Sequence, residues 1–391
     1  MTNPVPSASN LKIFLHNKLA VAGLLLILFA SLLAILGYLI TPDGTPQAND
    51  MLVQLSLKKP GTSFSMLRIK KEQPATINFL QKMLFGQPSV WRNIPITSYR
   101  FAGDNIYIRE YIGDEDVSAE TAFNIQKIGD KRSIARANTK NTGIKEASVS
   151  SIRKEILNHQ IIRKTFWLGT DIYGRDMLSR LIIGARISLA VGFVSVIISL
   201  IVGVSVGAAA GYFGGKTDEL LSWLMNVLWA LPALLLVIAI SFALGKGLWQ
   251  IFVAVGLSMW VEVGRLVRGQ VIALKQVEFV EAARALGFGN YRIIVHHILP
   301  NINGPILVLA ASNFASAILL EAGLSFLGYG AQPPTPTWGG MIKEHYGYIV
   351  MDSAYLAILP GLAIMLTVYA FNIVTIGLRD AFDVRSQSTR G

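Results

Sequence analysis

Hydrophobic residues gather in six uninterrupted runs along the chain, and each run is about as long as a membrane-spanning helix. The runs occupy Ala20–Ile40, Ile187–Tyr212, Leu220–Leu244, Leu248–Val267, Pro305–Leu327 and Ala354–Leu378. A helix needs about 20 consecutive apolar residues to cross the bilayer core, whereas soluble proteins distribute apolar residues in shorter periodic segments. The pattern therefore predicts an all-α integral membrane protein with six transmembrane helices.

The first run could be mistaken for a secretory signal, because it follows a short N-terminus that carries Lys12 and Lys18. Its apolar core is longer than the roughly 7–15 residues of a signal peptide, and no small-residue cleavage pattern follows it. We therefore expect Ala20–Ile40 to be retained as the first span.

Residues 41–166 differ in composition from the runs on either side, since they are polar, carry both charges and contain several prolines. Alternating apolar residues on both sides of Gly103-Asp104-Asn105 predict a strand hairpin over 96–112. Lys145–Lys164 places four apolar residues on one helical face; these are Val149, Ile152, Ile156 and Ile161. We expect a small folded α+β insert here.

Basic residues near the span ends predict the orientation, because such residues are retained on the cytoplasmic side. The polar segment 268–303 and the last residues of the span before it contain five basic residues, whereas the polar segment 328–353 contains only Lys343 near a span end. The five are Arg265, Arg268, Lys275, Arg284 and Arg292. The segment 268–303 is thus predicted to be cytoplasmic. Lys12, Lys18, Arg379 and Arg385 place both termini there too, which leaves the insert outside.

Composition agrees with this picture. The 391 residues are 52% hydrophobic and 15% charged, with a mean hydropathy of +0.48, which is too apolar for a soluble chain of this length. We attribute the formal charge of +11 to basic residues that flank the spans, rather than to binding of nucleic acid. The absence of cysteine excludes disulfides, thiolate metal sites and cysteine nucleophiles.

The most specific motif is EAARALG at 281–287, followed by HILPN at 297–301. Helix-forming residues precede Gly287, and Pro300 marks the return to the membrane, so we expect a short helix, a turn and a second short helix. Small side chains at Ala282 and Ala283 allow a partner to approach closely, and Glu281 offers an anion. The alternative is a plain juxtamembrane helix in which Glu281 pairs with Arg284.

This motif resembles the cytoplasmic EAA loop of permeases from binding-protein-dependent ABC importers. The matching positions are Glu281, Ala282, Ala283, Gly287, Leu299 and Pro300, and His297 is similar to the peptide-importer branch. Two further stretches, 168–176 and 326–339, resemble the C-type subunit of dipeptide and oligopeptide permeases. The resemblance covers the first span and about 167–385, while the insert at 41–166 is far longer than the usual outer loop.

The resemblance implies a six-helix ABC importer permease in the plasma (inner) membrane. Its segments would be a cytoplasmic tail with the first helix (1–40), an extracytoplasmic insert (41–166) and a permease core (167–391) that contains the coupling loop (268–303). The implied partners are a second permease subunit, two cytoplasmic ATPase subunits and an external substrate-binding protein. This chain would form half of a pathway for di- or oligopeptides and catalyse no reaction itself. Nickel or another small solute is the alternative cargo, since nickel importers share this branch.

Five residues are candidates for the outer mouth of the pathway: Asp171, Arg175, Asp176, Glu321 and Trp338. In the stretch 168–176, Thr170 or Asp171 is expected to cap a helix that runs from about Tyr173 through Arg186. The proline-rich 328–340 stretch cannot form a regular helix, so it is either a rigid outer loop or re-entrant turn against protein or water, or a passive surface loop.

Other motifs indicate neither a cofactor nor a metal. Gly214–Thr217 has the Gly-Lys-Thr ending of a phosphate-binding loop, but Ala210 stands where that loop needs glycine, and we predict a turn between spans. His296 and His297 point about 100° apart on a helix and have no partner four residues away, so His296, His297 and the other histidines (His16, His159 and His345) predict no metal site.

Two acidic residues lie at membrane depth, where ionisable groups are usually paired or functional. Glu262 has Arg265 three residues later and is expected to pair with it, whereas Glu321 has no cation nearby in sequence and is a candidate for an outer vestibule. A secondary transporter driven by an ion gradient would need intramembrane acid relays or broken-helix ion sites. In this sequence Glu321 is the one candidate for such an intramembrane acid.

Overall fold

A computed structural model describes residues 8–71, 77–113, 119–128, 145–245 and 247–382. Five helical segments are long and apolar enough to cross a membrane, and a bent pair of helices raises the number to six if the pair counts as one span. The five are Lys18–Ile40, Met177–Phe213, Leu248–Leu274, Asn290–Phe326 and Tyr355–Phe382. The predicted helical membrane architecture is therefore confirmed.

The third predicted span is broken. Instead of one helix over Leu220–Leu244, the chain forms Gly215–Trp229 and Ala233–Leu244, which meet at an angle of 98°. Pro232 lies in the break. A proline has no N–H to donate and its ring disfavours helical geometry in the preceding residue, so the break follows from this one residue.

The second span belongs to a longer helix than its hydrophobic run, Ile187–Tyr212, predicted. Its helix starts at Met177, not near Tyr173, and runs without interruption for 37 residues to Phe213. The cap is Asp176, whose carboxylate accepts a hydrogen bond from the Ser179 N–H at 2.8 Å, rather than Thr170 or Asp171. The predicted outer helix and second span are thus a single helix.

The span Asn290–Phe326 contains the α-helices Asn290–Arg292 and Asn303–Phe326, with irregular helical turns between them. The shorter described α-helices are Ala8–His16, Phe79–Phe85, Ile125–Ile128, Lys145–Glu155, Glu278–Ala285 and Trp338–His345. Wider or tighter helical turns occupy Pro46–Ala48, Val53–Leu55, Ile156–Gln160, Ile293–Ile298, Leu299–Ile302 and Tyr346–Val350.

Contacts divide the chain into two compact units. The first consists of the described parts of Met1–Ala34, Gly184–Ile349 and Ala357–Gly391, and the second consists of the described parts of Ile35–Ile183 with Val350–Leu356. The first unit contains most of the membrane-spanning residues, and the second contains the insert.

An antiparallel five-stranded sheet forms the centre of the second unit. Its strands are β1 (Thr62–Lys70), β2 (Trp91–Ala102), β3 (Asn105–Glu110), β4 (Glu120–Asn124) and β5 (Ile161–Phe166), in the order β4-β3-β2-β1-β5. The predicted hairpin is confirmed, since Ala102 pairs with Asn105 across a turn in which Gly103 has a φ of 56°. The insert therefore contains a small folded sheet.

The predicted helix over Lys145–Lys164 is only partly correct. The α-helix ends at Glu155, one wider turn follows, and Ile161 begins strand β5, where it pairs with Leu67 of β1. Val149, Ile152, Ile156 and Ile161 nevertheless contact one apolar core beneath the sheet. The prediction that these four residues share an apolar face is confirmed. At Ile161, however, the chain pairs with strand β1 and forms a strand where the periodicity predicted a helix.

A row of glycines joins two helices in the first unit. Gly203, Gly207 and Gly211 of Met177–Phe213 lie against the backbone of Leu248–Leu274. A β-carbon added at Gly203 would be 2.6 Å from the Trp260 carbonyl oxygen, and one at Gly211 would be 2.8 Å from that of Arg268. Small residues let membrane helices approach this closely. We call these three residues the glycine row.

Candidate functional site

The motif at 281–287 forms a short amphipathic helix, Glu278–Ala285, which we call the loop helix. Val280 and Ala283 are buried in an apolar cluster that also contains Val267 and Val271 from the end of the Leu248–Leu274 helix. The opposite face, which includes Glu281 and Ala282, is exposed. One face of the loop helix is thus packed against a membrane helix, and the other face is exposed and available to a partner.

Gly287 ends the loop helix in a conformation that other residues rarely adopt. Its φ is 78°, its N–H donates to the Arg284 carbonyl at 3.0 Å, and the Phe288 N–H donates to the Ala283 carbonyl at 3.1 Å. These two bonds define a Schellman cap, in which glycine occupies the left-handed position. The cap turns the chain sharply and leaves Leu286 73% exposed beside it.

The second half of the loop is ordered by stacked side chains. The Arg292 guanidinium lies 4.3 Å from the centroid of the Phe288 ring, and the His297 ring stacks on Phe288 at 5.7 Å. Wider and tighter helical turns then pass through the predicted Leu299 and Pro300 to the next membrane helix, which begins at Asn303. This order matches the predicted helix, turn and helix, and His297 has a packing contact.

Among the described residues, the expected ion pair between Glu262 and Arg265 does not form, and the alternative pair between Glu281 and Arg284 does not form either. Arg265 instead donates to the Asn226 side chain at 2.8 Å and lies 4.8 Å from the Trp229 ring centroid. The carboxylate of Glu281 therefore remains exposed on the loop helix.

Three of the outer-mouth candidates meet in one buried turn of the second unit. Asp171 accepts from the Arg175 guanidinium at 2.5 Å and lies 3.5 Å from that of Arg180. Its other oxygen accepts from the backbone N–H groups of Tyr173 and Arg175, each at 2.9 Å. Burial raises the pKa of the Asp176 carboxyl, and hydrogen bonds from Ser179 oppose that shift. Asp171, Arg175 and Asp176 are each at most 1% exposed.

Glu321 and Trp338 are buried together in the first unit. The carboxylate of Glu321 accepts from Ser325 at 2.7 Å and from Ser188 at 3.2 Å, and Ser188 in turn accepts from the Trp338 N–H at 3.3 Å. The Thr337 side chain caps the helix that begins at Trp338. That helix shortens the predicted non-helical stretch, which ends at Thr337. Sequence alone gave no signal for Ser188, which is 133 residues from Glu321.

All five outer-mouth candidates are therefore buried within their own units. The side chains of Asp171, Arg175, Asp176 and Glu321 form hydrogen bonds with neighbouring turns and helices, whereas Trp338 bonds to Ser188 through its backbone N–H. The turn predicted over Gly214–Thr217 is confined to Gly214, because the helix Gly215–Trp229 begins at the next residue.

Two family models match this chain. One describes a binding-protein-dependent transport system inner membrane component and matches residues 203–387, which include the loop helix; the other describes the N-terminal TM domain of oligopeptide transport permease C and matches residues 8–60. The dipeptide transport system permease protein DppC of Alkalihalophilus pseudofirmus is 45% identical over 222 residues, which are 57% of this chain and 73% of that protein. This chain belongs to the family of binding-protein-dependent inner membrane permeases.

Other relatives agree with this family. The glutathione transport system permease protein GsiD of Pectobacterium atrosepticum is 42% identical, again over 57% of this permease and 73% of the relative. A solved chain of the MetNI methionine ABC transporter in inward facing conformations aligns with 52% of this permease at 21% identity and a TM-score of 0.41. The resemblance drawn from Glu281–Gly287, 168–176 and 326–339 is confirmed by the family models and the sequence relatives. This permease is a multi-pass protein of the inner membrane.

Proposed function

We propose that this permease carries di- or oligopeptides across the inner membrane as one of two transmembrane subunits of an ATP-driven importer. The observation that carries the proposal is the loop helix, which is anchored to the Leu248–Leu274 helix through Val280 and Ala283 and exposes Glu281 and Ala282. Such an element can transmit the motion of an ATPase to the membrane helices as rigid-body movement. Relatives named for dipeptide and glutathione transport support peptides as the cargo.

The proposed assembly contains a second permease subunit, two cytoplasmic ATPase subunits and an external substrate-binding protein. In that assembly Glu281, Ala282 and Gly287 contact one ATPase, and Leu299 and Pro300 return the chain to the membrane. Ala283, which the motif placed in the same contact, packs instead against the Leu248–Leu274 helix. Hydrolysis of ATP takes place in the partner subunits. We place 41–166 outside the membrane as a folded accessory domain, between the 1–40 segment and the 167–391 core.

The cargo is tested by uptake into proteoliposomes that contain the complete system. Labelled dipeptides and tripeptides are expected to accumulate with ATP and the binding protein present, and to stop accumulating when either is omitted. Nickel ions serve as the competing cargo. Uptake of nickel without uptake of any peptide would contradict the proposal and assign the system to metal transport.

The orientation is tested with single cysteines, which can be introduced cleanly because the chain has none. A cysteine at Asp104, in the exposed turn between β2 and β3, is expected to react with an impermeant maleimide added outside the inner membrane. A cysteine at Ala285, on the exposed face of the loop helix, is expected to react only after the membrane is opened. The reverse pattern would show that the loop helix faces away from the cytoplasm. Arg385, which contributed to the predicted orientation, lies outside the described residues.

A further inference from the structure

The second unit contains a cavity of about 640 Å³ beside the end of the first membrane-spanning helix. Tyr38 and Leu39, from the last turn of that helix, line the cavity, and so do Trp91 of the insert and Trp167, the residue that follows it. Tryptophan and tyrosine are enriched where a membrane protein meets the lipid headgroups. Because Ile40 ends the helix, we expect the cavity to lie near the lipid headgroups.

Four basic side chains line this cavity: Arg68, Lys82, Arg163 and Lys164. None of the four forms an ion pair among the described residues. The Nε atom of Arg68 has no hydrogen-bond partner there either, although it is buried from solvent. A buried donor that lacks a partner costs free energy, so the arrangement favours an acceptor inside the cavity.

The two acidic residues that line the cavity are already engaged by other donors. Asp43 is 4% exposed and accepts from the backbone N–H groups of Thr45 at 2.9 Å and Asp50 at 3.1 Å. The Asp50 carboxylate accepts from the Asn93 side chain at 3.0 Å. Asn93 is the residue that pairs with Arg68 across β1 and β2. The two carboxylates therefore accept hydrogen bonds from backbone N–H groups and from Asn93, and within the described part of the chain they form no ion pair with the four basic side chains.

We propose that this cavity, which we call the basic cavity, binds a phosphate group, and that its source is the headgroup of an anionic phospholipid. Guanidinium groups match phosphate oxygens with two parallel hydrogen bonds, and ammonium groups add positive charge. Basic pockets beside membrane-helix ends are suited to anionic lipid headgroups. A lipid bound here would fix the insert to the membrane surface through the chain's own first helix.

The test uses the full chain, purified in neutral detergent from membranes that contain phosphatidylglycerol, with retained lipid counted by native mass spectrometry. Arg68→Gln and Lys82→Gln are each expected to lower retention of phosphatidylglycerol about tenfold, as removal of one charge-assisted hydrogen bond should. Lys82 lies in the last turn of the short helix Phe79–Phe85 and is half-buried, so its replacement spares the sheet if Arg68→Gln disturbs folding. Arg109→Gln, at an exposed arginine of β3 outside the cavity, is the matched control and should retain the lipid.

A second arm separates the two sources of phosphate. Inorganic phosphate is titrated calorimetrically into the same samples, and phosphatidylglycerol is compared with phosphatidylcholine in nanodiscs. Phosphate binding that is lost in Arg68→Gln and Lys82→Gln, with no preference for phosphatidylglycerol, would support the phosphate site and overturn the lipid as its source. Equal lipid retention by the wild type, both cavity variants and Arg109→Gln, without heat from phosphate, would overturn the proposal entirely.

Discussion

Replacement of Gly287 by valine is expected to abolish most coupled transport while the chain still inserts and folds. The φ of 78° at this position excludes β-branched residues, and strain of about 1–3 kcal/mol would drive the turn into another conformation. That energy corresponds to roughly a 5- to 150-fold loss of the docking-competent loop. No atom lies within 4 Å of an added β-carbon, so the substitution creates no clash in the core. Peptide uptake and peptide-stimulated ATP hydrolysis by the complete system measure the effect.

Two matched variants separate backbone strain from the mere addition of a side chain. Gly289 lies in the same loop with a φ of −66° and equally open surroundings, so Gly289→Val should leave transport near the wild-type rate. Gly287→Asn should lie between the two, because asparagine tolerates the left-handed region. Normal transport by Gly287→Val in a fully assembled complex would contradict the docking role proposed for this turn.

Replacement of Asp171 by alanine is expected to lower the free energy of unfolding by about 3–5 kcal/mol, because it leaves buried guanidinium groups without their carboxylate. Arg175 and Arg180 both lie within 3.5 Å of Asp171, and all three residues are at most 3% exposed. Asp171 also accepts two backbone hydrogen bonds that hold the turn before the Met177–Phe213 helix. Asp171→Asn should cost less, since its amide oxygen still accepts those two bonds.

The matched control is Asp218→Ala, which breaks the ion pair with Arg268 at 2.5 Å. The side chains of that pair are 22% and 34% exposed, so water can compensate and a loss of about 1 kcal/mol or less is expected. Thermal unfolding of the purified chain in one detergent at one heating rate compares the variants. Equal shifts for Asp171→Ala and Asp218→Ala would show that burial does not determine the strength of the Asp171 cluster.

The sequence predicted features that depend on composition and local pattern. Run length located the membrane helices of the described residues, the EAARALG spacing located the loop helix and its glycine cap, and alternation located the β2–β3 hairpin. Hydropathy counts apolar residues and is insensitive to a single proline, so the bend before Ala233 was missed. Helical periodicity could not reveal that Ile161 pairs with Leu67, because that contact joins residues far apart in the chain.

The sequence also did not predict that the outer-mouth candidates are buried, because local patterns do not reveal contacts with distant residues. Glu321 was a candidate because it is a carboxyl with no cation nearby in sequence, but the donors to its carboxylate are Ser325 in its own helix and Ser188 more than a hundred residues earlier. Serine carries no sequence signal for such a contact, since it is common on any helix surface. The sequence could therefore single out Glu321 as an unusual residue, but its hydrogen-bond partners are known only from the folded structure.

The glycine row restricts how the two helices that it joins can move. A slide of one helix along the other by a single residue rise, about 1.5 Å, would replace a glycine with a β-carbon opposite a carbonyl oxygen. Shear along this contact is therefore sterically blocked, and tilting of both helices together is the remaining motion. Since Val271 and Val280 connect the loop helix to the same pair, a push on the loop helix changes the inclination of two spans at once, with no change in their mutual register.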